Sequence, residues 1–170
     1  ITIFSKQAVF EYKDMEVTLL DTPGHVDFST EMERTLQVLD YAVLLVSASD
    51  GIQGHTETLW KLLARYQIPT FIFVNKMDMP NVSGDFVLHE LKEKFGDNIV
   101  RFQGDVGILE DIAMTDENVL EEYMETGNIS QETITELIFG RKLFPCYFGA
   151  ALKLEGVEDL LEGICKYTFE

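Results

Sequence analysis

The chain has 170 residues, enough for one domain with a substantial core, and 46% of them are hydrophobic, which argues against intrinsic disorder. No signal peptide opens the chain and no apolar run approaches the roughly 18 residues needed to span a bilayer, so we expect a cytoplasmic protein. The formal net charge of -17 repels phosphate backbones, which argues against a general nucleic-acid binder.

Predicted strands and helices alternate along the chain. Residues 1–14 alternate in polarity, which is typical of an outer strand. Near-continuous apolar runs predict strands buried on both faces of a parallel sheet at 16–21, 41–49, 70–76 and 143–150. Apolar residues at helical spacing predict helices at 29–39, 56–66, 83–95 and 156–167. This order is typical of a doubly wound α/β fold.

Residues 98–142 interrupt the alternation. They contain two predicted helices, separated by Gly127 and Asn128, and one or two short strands before them. We therefore expect a small α+β insertion within the main fold.

A few chemistry-bearing residues stand outside any motif. The two cysteines, Cys146 and Cys165, have no metal or redox spacing, so we expect buried, reduced thiols. His55 and His89 are expected at the surface or in packing positions, and Trp60 in the core.

Three short motifs directly follow predicted strands, and ligands of open α/β sheets bind at the carboxyl ends of strands. In the first, DTPGH at 21–25, the Asp21 carboxylate suits a hard cation and Gly24 lets a backbone N–H approach a phosphate. His25 can orient a water molecule or move a proton. Taken alone, the stretch is explained equally well as a turn that ends a strand.

The second motif is NKMD at 75–78, and the third is GAALK at 149–153. Guanine has two adjacent N–H donors that fit the Asp78 carboxylate and adenine does not, although a polar turn after a strand would look the same. The small residues of the third motif let the backbone approach a ligand, and a tight strand-to-helix turn explains them equally well.

Together, the order and spacing of these motifs resemble the GTPases of the P-loop class. An Asp-x-x-Gly is followed about fifty residues later by Asn-Lys-x-Asp and then by a small-residue loop, each behind an apolar strand. The proline and histidine of DTPGH are similar to those of the translational GTPases, in particular elongation factor G and the tetracycline-resistance ribosomal protection proteins. The resemblance is dense over residues 1–80, looser through the insertion, and returns from Leu143 onward.

The resemblance implies roles at the phosphate end of a nucleotide site. Thr2 would bind Mg²⁺ directly and Asp21 through water, while the Gly24 N–H would meet the γ-phosphate. His25 would be the catalytic residue that faces the attacking water, steered into position by ribosomal RNA. Loss of the γ-phosphate would release both segments, which is the usual GTPase switch.

At the base end, the resemblance assigns Asn75 and Asp78 to guanine, with the stem of Lys76 packed over the ring. The closing loop would consist of Ala150, Ala151 and Leu152. Within it, the Ala151 N–H would reach the guanine oxygen. Ala150 departs from the family's usual serine, for which we expect a modest loss of loop rigidity and no loss of specificity.

A phosphate loop of the form Gly-x-x-x-x-Gly-Lys-Ser/Thr does not occur in these 170 residues. In the translational GTPases that this chain resembles, the phosphate loop lies upstream of the segment that corresponds to ITI at residues 1–3. We therefore expect 1–170 to be a partial G domain of the P-loop NTPase type, lacking its first strand and phosphate loop, with 98–142 as its insertion subdomain. The parent would bind and hydrolyse GTP, and this piece alone would be inactive. The alternative is an excised or degenerate domain that binds no nucleotide and serves as an interaction surface.

The resemblance also implies partners: GTP or GDP with Mg²⁺, and the factor-binding site of the large ribosomal subunit. It implies a monomer and no membrane. The acidic helix expected at 116–125 would dock a ribosomal stalk protein or be a plain solvated face. The insertion is shorter than in elongation factor G, which favours the ribosomal protection type or another relative. Translocation and antibiotic protection both stay open at this point.

Overall fold

The computed structural model describes residues 6–22, 30–104 and 106–169. Its strands are β1 (Lys6–Tyr12), β2 (Met15–Asp21), β3 (Ala42–Ser47), β4 (Thr70–Asn75), β5 (Ile99–Arg101) and β6 (Phe144–Phe148). Its α-helices are α1 (Thr30–Val38), α2 (Gly54–Arg65), α3 (Gly84–Phe95), α4 (Ile108–Ala113), α5 (Glu117–Thr126), α6 (Gln131–Phe139) and α7 (Val157–Tyr167), and a short 3-10 helix spans Ala151–Lys153. The four helices expected from apolar spacing are confirmed, with ends that differ by at most two residues.

Four parallel strands form the main sheet in the spatial order β3, β4, β6, β5. Parallel neighbours need crossover connections, and the helices between the strands supply them. Strands β4 and β6 lie in the centre, where every residue is buried except Asn75 at the carboxyl end of β4. The doubly wound α/β fold is therefore confirmed.

Side chains of the main sheet alternate between two apolar clusters, one on each face. On one face Ile72 packs in a cluster with Trp60 of α2 and Leu91 of α3. On the other face Phe73 packs in a cluster with Ile138 of α6, and α7 adds partly buried side chains. Burying such a side chain stabilises the fold by roughly 1.5–3 kcal/mol, so these layers fix the strand ends that carry the polar motifs.

Strand β2 differs from the prediction for residues 16–21. It pairs antiparallel with β1, Val17 opposite Phe10, in a separate two-stranded sheet, and none of its side chains is buried. An apolar run indicates burial only where other elements cover both faces. The described hairpin is instead tied to α7 at its turn, where Lys13 Nζ lies 3.1 Å from Glu162 Oε1.

Strand β3 is half-buried, although its apolar run predicted burial on both faces. Leu44 and Val46 join the cluster with α2 and α3, whereas Leu45 is 65% exposed and Val43 is exposed as well. Leu45 pairs with Phe73 of β4, so it lies on the face that α6 and α7 cover. The layer formed by α6 and α7 does not extend as far as β3, because β3 lies at the edge of the main sheet.

The described part of the segment 98–142 contains three helices, α4, α5 and α6, where two were expected. Strand β5 near its start pairs parallel with β6, Ile99 opposite Phe144, and so belongs to the main sheet. Polar contacts join the helices: the Tyr123 hydroxyl of α5 donates to Glu110 Oε1 of α4 at 2.8 Å. Treating 98–142 as a subdomain of its own stays a proposal.

The cysteines, the two histidines and Trp60, which stand outside the motifs, differ in burial. Cys146 is buried and Cys165 half-buried, both as free thiols, and burial raises the pKa of Cys146 to about 12. His55 and His89 are exposed, and Trp60 packs in an aromatic group between α2 and the main sheet. None of the described helices has the length and apolarity to cross a membrane.

Candidate functional site

The loops after β4 and β6 meet at the carboxyl end of the main sheet. The two strands are parallel neighbours, with Val74 opposite Phe148, so the NKMD and GAALK motifs leave the sheet side by side. Two backbone hydrogen bonds continue the pairing beyond the strands: Gly149 N donates to Val74 O at 3.0 Å, and Met77 N donates to Gly149 O at 3.1 Å. The two predicted base-reading segments therefore form one surface.

Asn75 joins three loops at this surface. Its side-chain Oδ1 accepts a 2.9 Å hydrogen bond from the Ala151 N–H, which holds the start of the closing loop. That N–H was expected to reach the guanine oxygen, and in this structure it is donated to Asn75 instead. Its main-chain carbonyl accepts from the Ala48 N–H at 2.9 Å, which holds the loop after β3. An amide suits this position because its carbonyl accepts while its NH₂ group still has donors for a ligand.

The carboxylates and ammonium groups of the site are paired with one another. The Asp78 Oδ2 atom lies 3.3 Å from Lys153 Nζ, and the Asp78 side chain is 30% exposed. Lys76 Nζ lies 4.0 Å from Asp50 Oδ2, and Lys76 adopts a left-handed backbone conformation with φ 63°. That turn directs the chain away from β4 between Asn75 and Asp78.

The closing loop folds back on itself in a way that requires glycine. Ala150 and Glu155 exchange backbone hydrogen bonds of 3.0 and 3.2 Å across the 3-10 helix. A Cβ on Gly149 would lie 2.1 Å from the Glu155 carbonyl oxygen, and a Cβ on Gly156 2.3 Å from the Phe148 oxygen. Leu152 at the tip of the loop is fully exposed.

The expected site residues fall into two groups in the structure. Those of the base end come together at the sheet edge: Asn75, Lys76, Asp78, Ala150, Ala151 and Leu152. Asp21 ends β2 and is exposed in the two-stranded sheet. Thr2, Gly24 and His25 lie outside the described residues.

Some functional contacts could not be read from the sequence. Lys153 stands at the end of GAALK, where the motif indicates no role for it, and Asp50 stands in the polar loop after β3. Gln103 was missed altogether: it accepts from Phe148 N at 2.8 Å and donates to Phe148 O at 2.9 Å, which supports the carboxyl end of β6. Nothing in its sequence context, FQGD, signals this role.

An amide, a carboxylate and a glycine-dependent loop at the carboxyl edge of a doubly wound sheet are typical of a ligand-binding α/β domain. Residues 1–170 match the family model described as "Elongation factor Tu GTP binding domain", and the chain belongs to this family.

Relatives and a solved structure agree with this assignment. The chain is 38% identical to "Tetracycline resistance protein TetP" of Clostridium perfringens, over 98% of the chain and 29% of that protein. It is 36% identical to "Tetracycline resistance protein TetO" of Streptococcus mutans, over 96% of the chain and 28% of that protein. A crystal structure of a protein from Thermus thermophilus superposes with a TM-score of 0.82 at 24% identity, over 98% of the chain and 32% of the other, which shows the fold. The chain thus spans less than a third of the length of these relatives.

Proposed function

We propose that this chain is the GTP-binding and GTP-hydrolysing domain of a ribosome-associated translation factor, of the elongation factor G or ribosomal protection type. The observation that carries the proposal is the junction of NKMD with the closing loop, where Asn75 Oδ1 holds the Ala151 N–H at 2.9 Å. Two relatives at 36–38% identity are named as tetracycline resistance proteins, which favours the ribosomal protection type for the parent.

The base end supplies guanine specificity in this proposal. The Asp78 carboxylate accepts from the ring N–H and the exocyclic amine of guanine, and adenine offers no such pair of donors. The Lys76 stem packs on the ring, and the closing loop covers its edge. The residues assigned to these contacts lie on the loops that follow β4 and β6, which are neighbours in the main sheet.

The phosphate end is assigned from the family resemblance. Asp21 and Thr2 would hold Mg²⁺, which neutralises charge on the phosphates when bound, and Gly24 would approach the γ-phosphate. In the part of the chain that the structure describes, no three acidic, histidine or cysteine side chains converge on one point. His25 orients the attacking water.

The second candidate is an excised or degenerate domain that binds no nucleotide and presents an interaction surface. The observation that favours it is the absence of a phosphate-loop motif from the 170 residues. A degenerate domain would bind no guanine nucleotide even in the full-length protein, so nucleotide binding by the full-length protein separates that case from the first candidate.

The test of base recognition is Asp78→Asn in the full-length protein. The amide cannot accept from the guanine amine but can donate to the carbonyl that xanthine carries at the same place. We expect GTP affinity to fall by roughly 10⁴-fold, the scale on which a site built to hydrogen-bond a substrate rejects a mismatched partner, with a gain in xanthosine triphosphate binding. Titration calorimetry with GTP and with xanthosine triphosphate measures both. Unchanged GTP affinity in the variant would contradict the proposed function.

The test of hydrolysis is His25→Ala in the same protein. Because the ground-state nucleotide has little use for a water-orienting side chain, we expect GTP binding to be nearly unchanged. Phosphate release stimulated by ribosomes should fall by about 10²-fold or more, the usual scale for a lost acid–base or water-positioning group. A normal rate of release would show that His25 does not act on the water.

A further inference from the structure

Two ion pairs join loops at the carboxyl end of the main sheet. Asp50 after β3 pairs with Lys76 after β4 at 4.0 Å, and Asp78 after β4 pairs with Lys153 after β6 at 3.3 Å. The loops after β3 and β4, and the loops after β4 and β6, therefore each have one carboxylate–ammonium contact between them. The second contact involves the carboxylate that is proposed to read guanine.

We infer that Lys153 is a positioning residue for guanine recognition: its ammonium group fixes the orientation of the Asp78 carboxylate. This inference rests on the proposed function. The contact is made by Asp78 Oδ2 alone, and each carboxylate oxygen has two lone pairs, so the same oxygen can accept from a base as well. Lys153 lies on the closing loop that Asn75 anchors through Ala151, so its backbone is held in place.

Orientation matters here because guanine presents two parallel N–H donors. The terminal torsion of an aspartate is broad, so an unrestrained carboxylate loses rotational freedom when it accepts two bonds in one plane. The ion pair with the Lys153 ammonium group, 3.3 Å from Oδ2, restricts that torsion beforehand. Hypoxanthine, the base of inosine diphosphate, lacks the exocyclic amine and offers one N–H, so it gains less from a fixed carboxylate.

The test compares GDP and inosine diphosphate binding to the full-length protein and its Lys153→Met variant, which keeps the length of the side chain and removes its charge. Lys153 and Asp78 are 57% and 30% exposed, so solvent screens the pair. We expect GDP affinity to fall by about three- to fivefold, the scale of an exposed ion pair. Inosine diphosphate affinity should fall by less than about twofold. The ratio of GDP affinity to inosine diphosphate affinity, which is the GDP preference, should therefore decrease. Lys153→Arg, which keeps the charge, should restore most of the preference.

A matched control is Lys142→Met, which breaks a similar pair with Asp116 at 3.2 Å in the insertion and should leave both affinities unchanged. Raising the salt from ~0.05 to ~1 M should narrow the GDP preference of the wild type and leave that of Lys153→Met constant. An unchanged or raised GDP affinity in Lys153→Met, or an equal loss for both nucleotides, would overturn the positioning role. Asp78→Asn distinguishes failure of this inference from failure of the proposed function. If Asp78→Asn abolishes guanine preference while Lys153→Met changes neither nucleotide affinity, only this inference fails.

Discussion

Gly149 connects the fold to the site at the scale of a single residue. It leaves β6 between the backbone of Val74 and the carbonyl of Glu155, where a Cβ would lie 2.1 Å from that carbonyl oxygen and 2.9 Å from the Phe73 ring. Both neighbours are fixed, one by the closing loop and one by the buried core. The loop conformation that carries Ala151 and Lys153 therefore depends on a glycine at this position.

Gly149→Ala should displace the closing loop and destabilise the domain. We expect the free energy of unfolding to fall by about 1–3 kcal/mol, as for other insertions of a methyl group into a packed site, and guanine-nucleotide affinity of the full-length protein to fall with it. Chemical denaturation followed by circular dichroism measures the first quantity. Gly54→Ala is the control, since a Cβ there meets nothing within 4 Å and alanine suits a helix. Equal stability of the two variants would contradict the prediction.

The sequence was sufficient to predict which residues stand at the strand ends, but not their contacts. Asn75 and Asp78 were identified because a buried apolar run precedes them, and parallel neighbours share an edge. The bond from Ala151 to Asn75 spans 76 positions and depends on strand register and loop conformation. The pairing of Lys153 with Asp78 depends in addition on side-chain torsions, which no pattern of residue types encodes.

At the scale of an element, α5 shows how one carboxylate serves two structural roles. Asp116 caps the helix, accepting from Asn118 N at 2.9 Å and from Val119 N at 3.3 Å, and its other oxygen lies 3.2 Å from Lys142 Nζ. The hydrogen bond from Lys142 is the largest cause that lowers the pKa of Asp116 below its ordinary value, and the helix N–H groups add to it. The contact with Lys142 joins the start of α5 to the chain just after α6.

Asp116→Ala should therefore cost about 1–2 kcal/mol of unfolding free energy at neutral pH, the usual effect of removing an N-cap. Because the folded-state pKa lies below the unfolded value of 3.8, this stabilisation is present above that pH and is lost as the pH falls through the folded pKa. Denaturation of wild type and variant at neutral pH and near pH ~3 measures the difference, which should shrink on acidification. A difference that stays constant with pH would show that the carboxylate charge is not involved.

The wrong strand predictions share a cause at this scale. An apolar run reports the composition of a strand, whereas burial depends on whether a helix layer covers each face. Central β4 and β6 are covered on both sides and match the prediction. Strand β3 is covered on one side, and β2 is paired with β1 in a sheet of its own, so neither matches it.

At the scale of the whole molecule, the described chain has two sheets and a strongly acidic composition. Among the described strands β3 lies at the edge of the main sheet and exposes Leu45 and Val43 on one face, and exposed apolar edge strands favour association with other chains. The net charge of -17 opposes that association and also opposes the approach of anions. The exposed apolar residues of β3 and the negative net charge both affect binding by the isolated 170-residue chain.

We expect the 170-residue chain by itself to bind GTP and GDP very weakly, although it contains the base-reading residues. Most of the affinity of such domains comes from contacts to the phosphates: successive backbone N–H groups, a helix N-terminus and a lysine in the phosphate loop. That motif does not occur in this sequence. The remaining contacts are those of Asn75 and Asp78 to the base, while Asp21 repels phosphate wherever Mg²⁺ does not bridge them.

Titration calorimetry of the 170-residue chain with GDP and Mg²⁺ measures this, with Asp78→Asn as the matched control. We expect dissociation constants above about 0.1 mM, because base contacts alone supply only a few kcal/mol after the loss of rigid-body freedom. The control should bind no more tightly than the wild type, since its base contacts are mismatched. Sub-micromolar GDP binding that Asp78→Asn abolishes would contradict the expectation, because other residues of this chain would then be holding the phosphates while Asp78 reads the base.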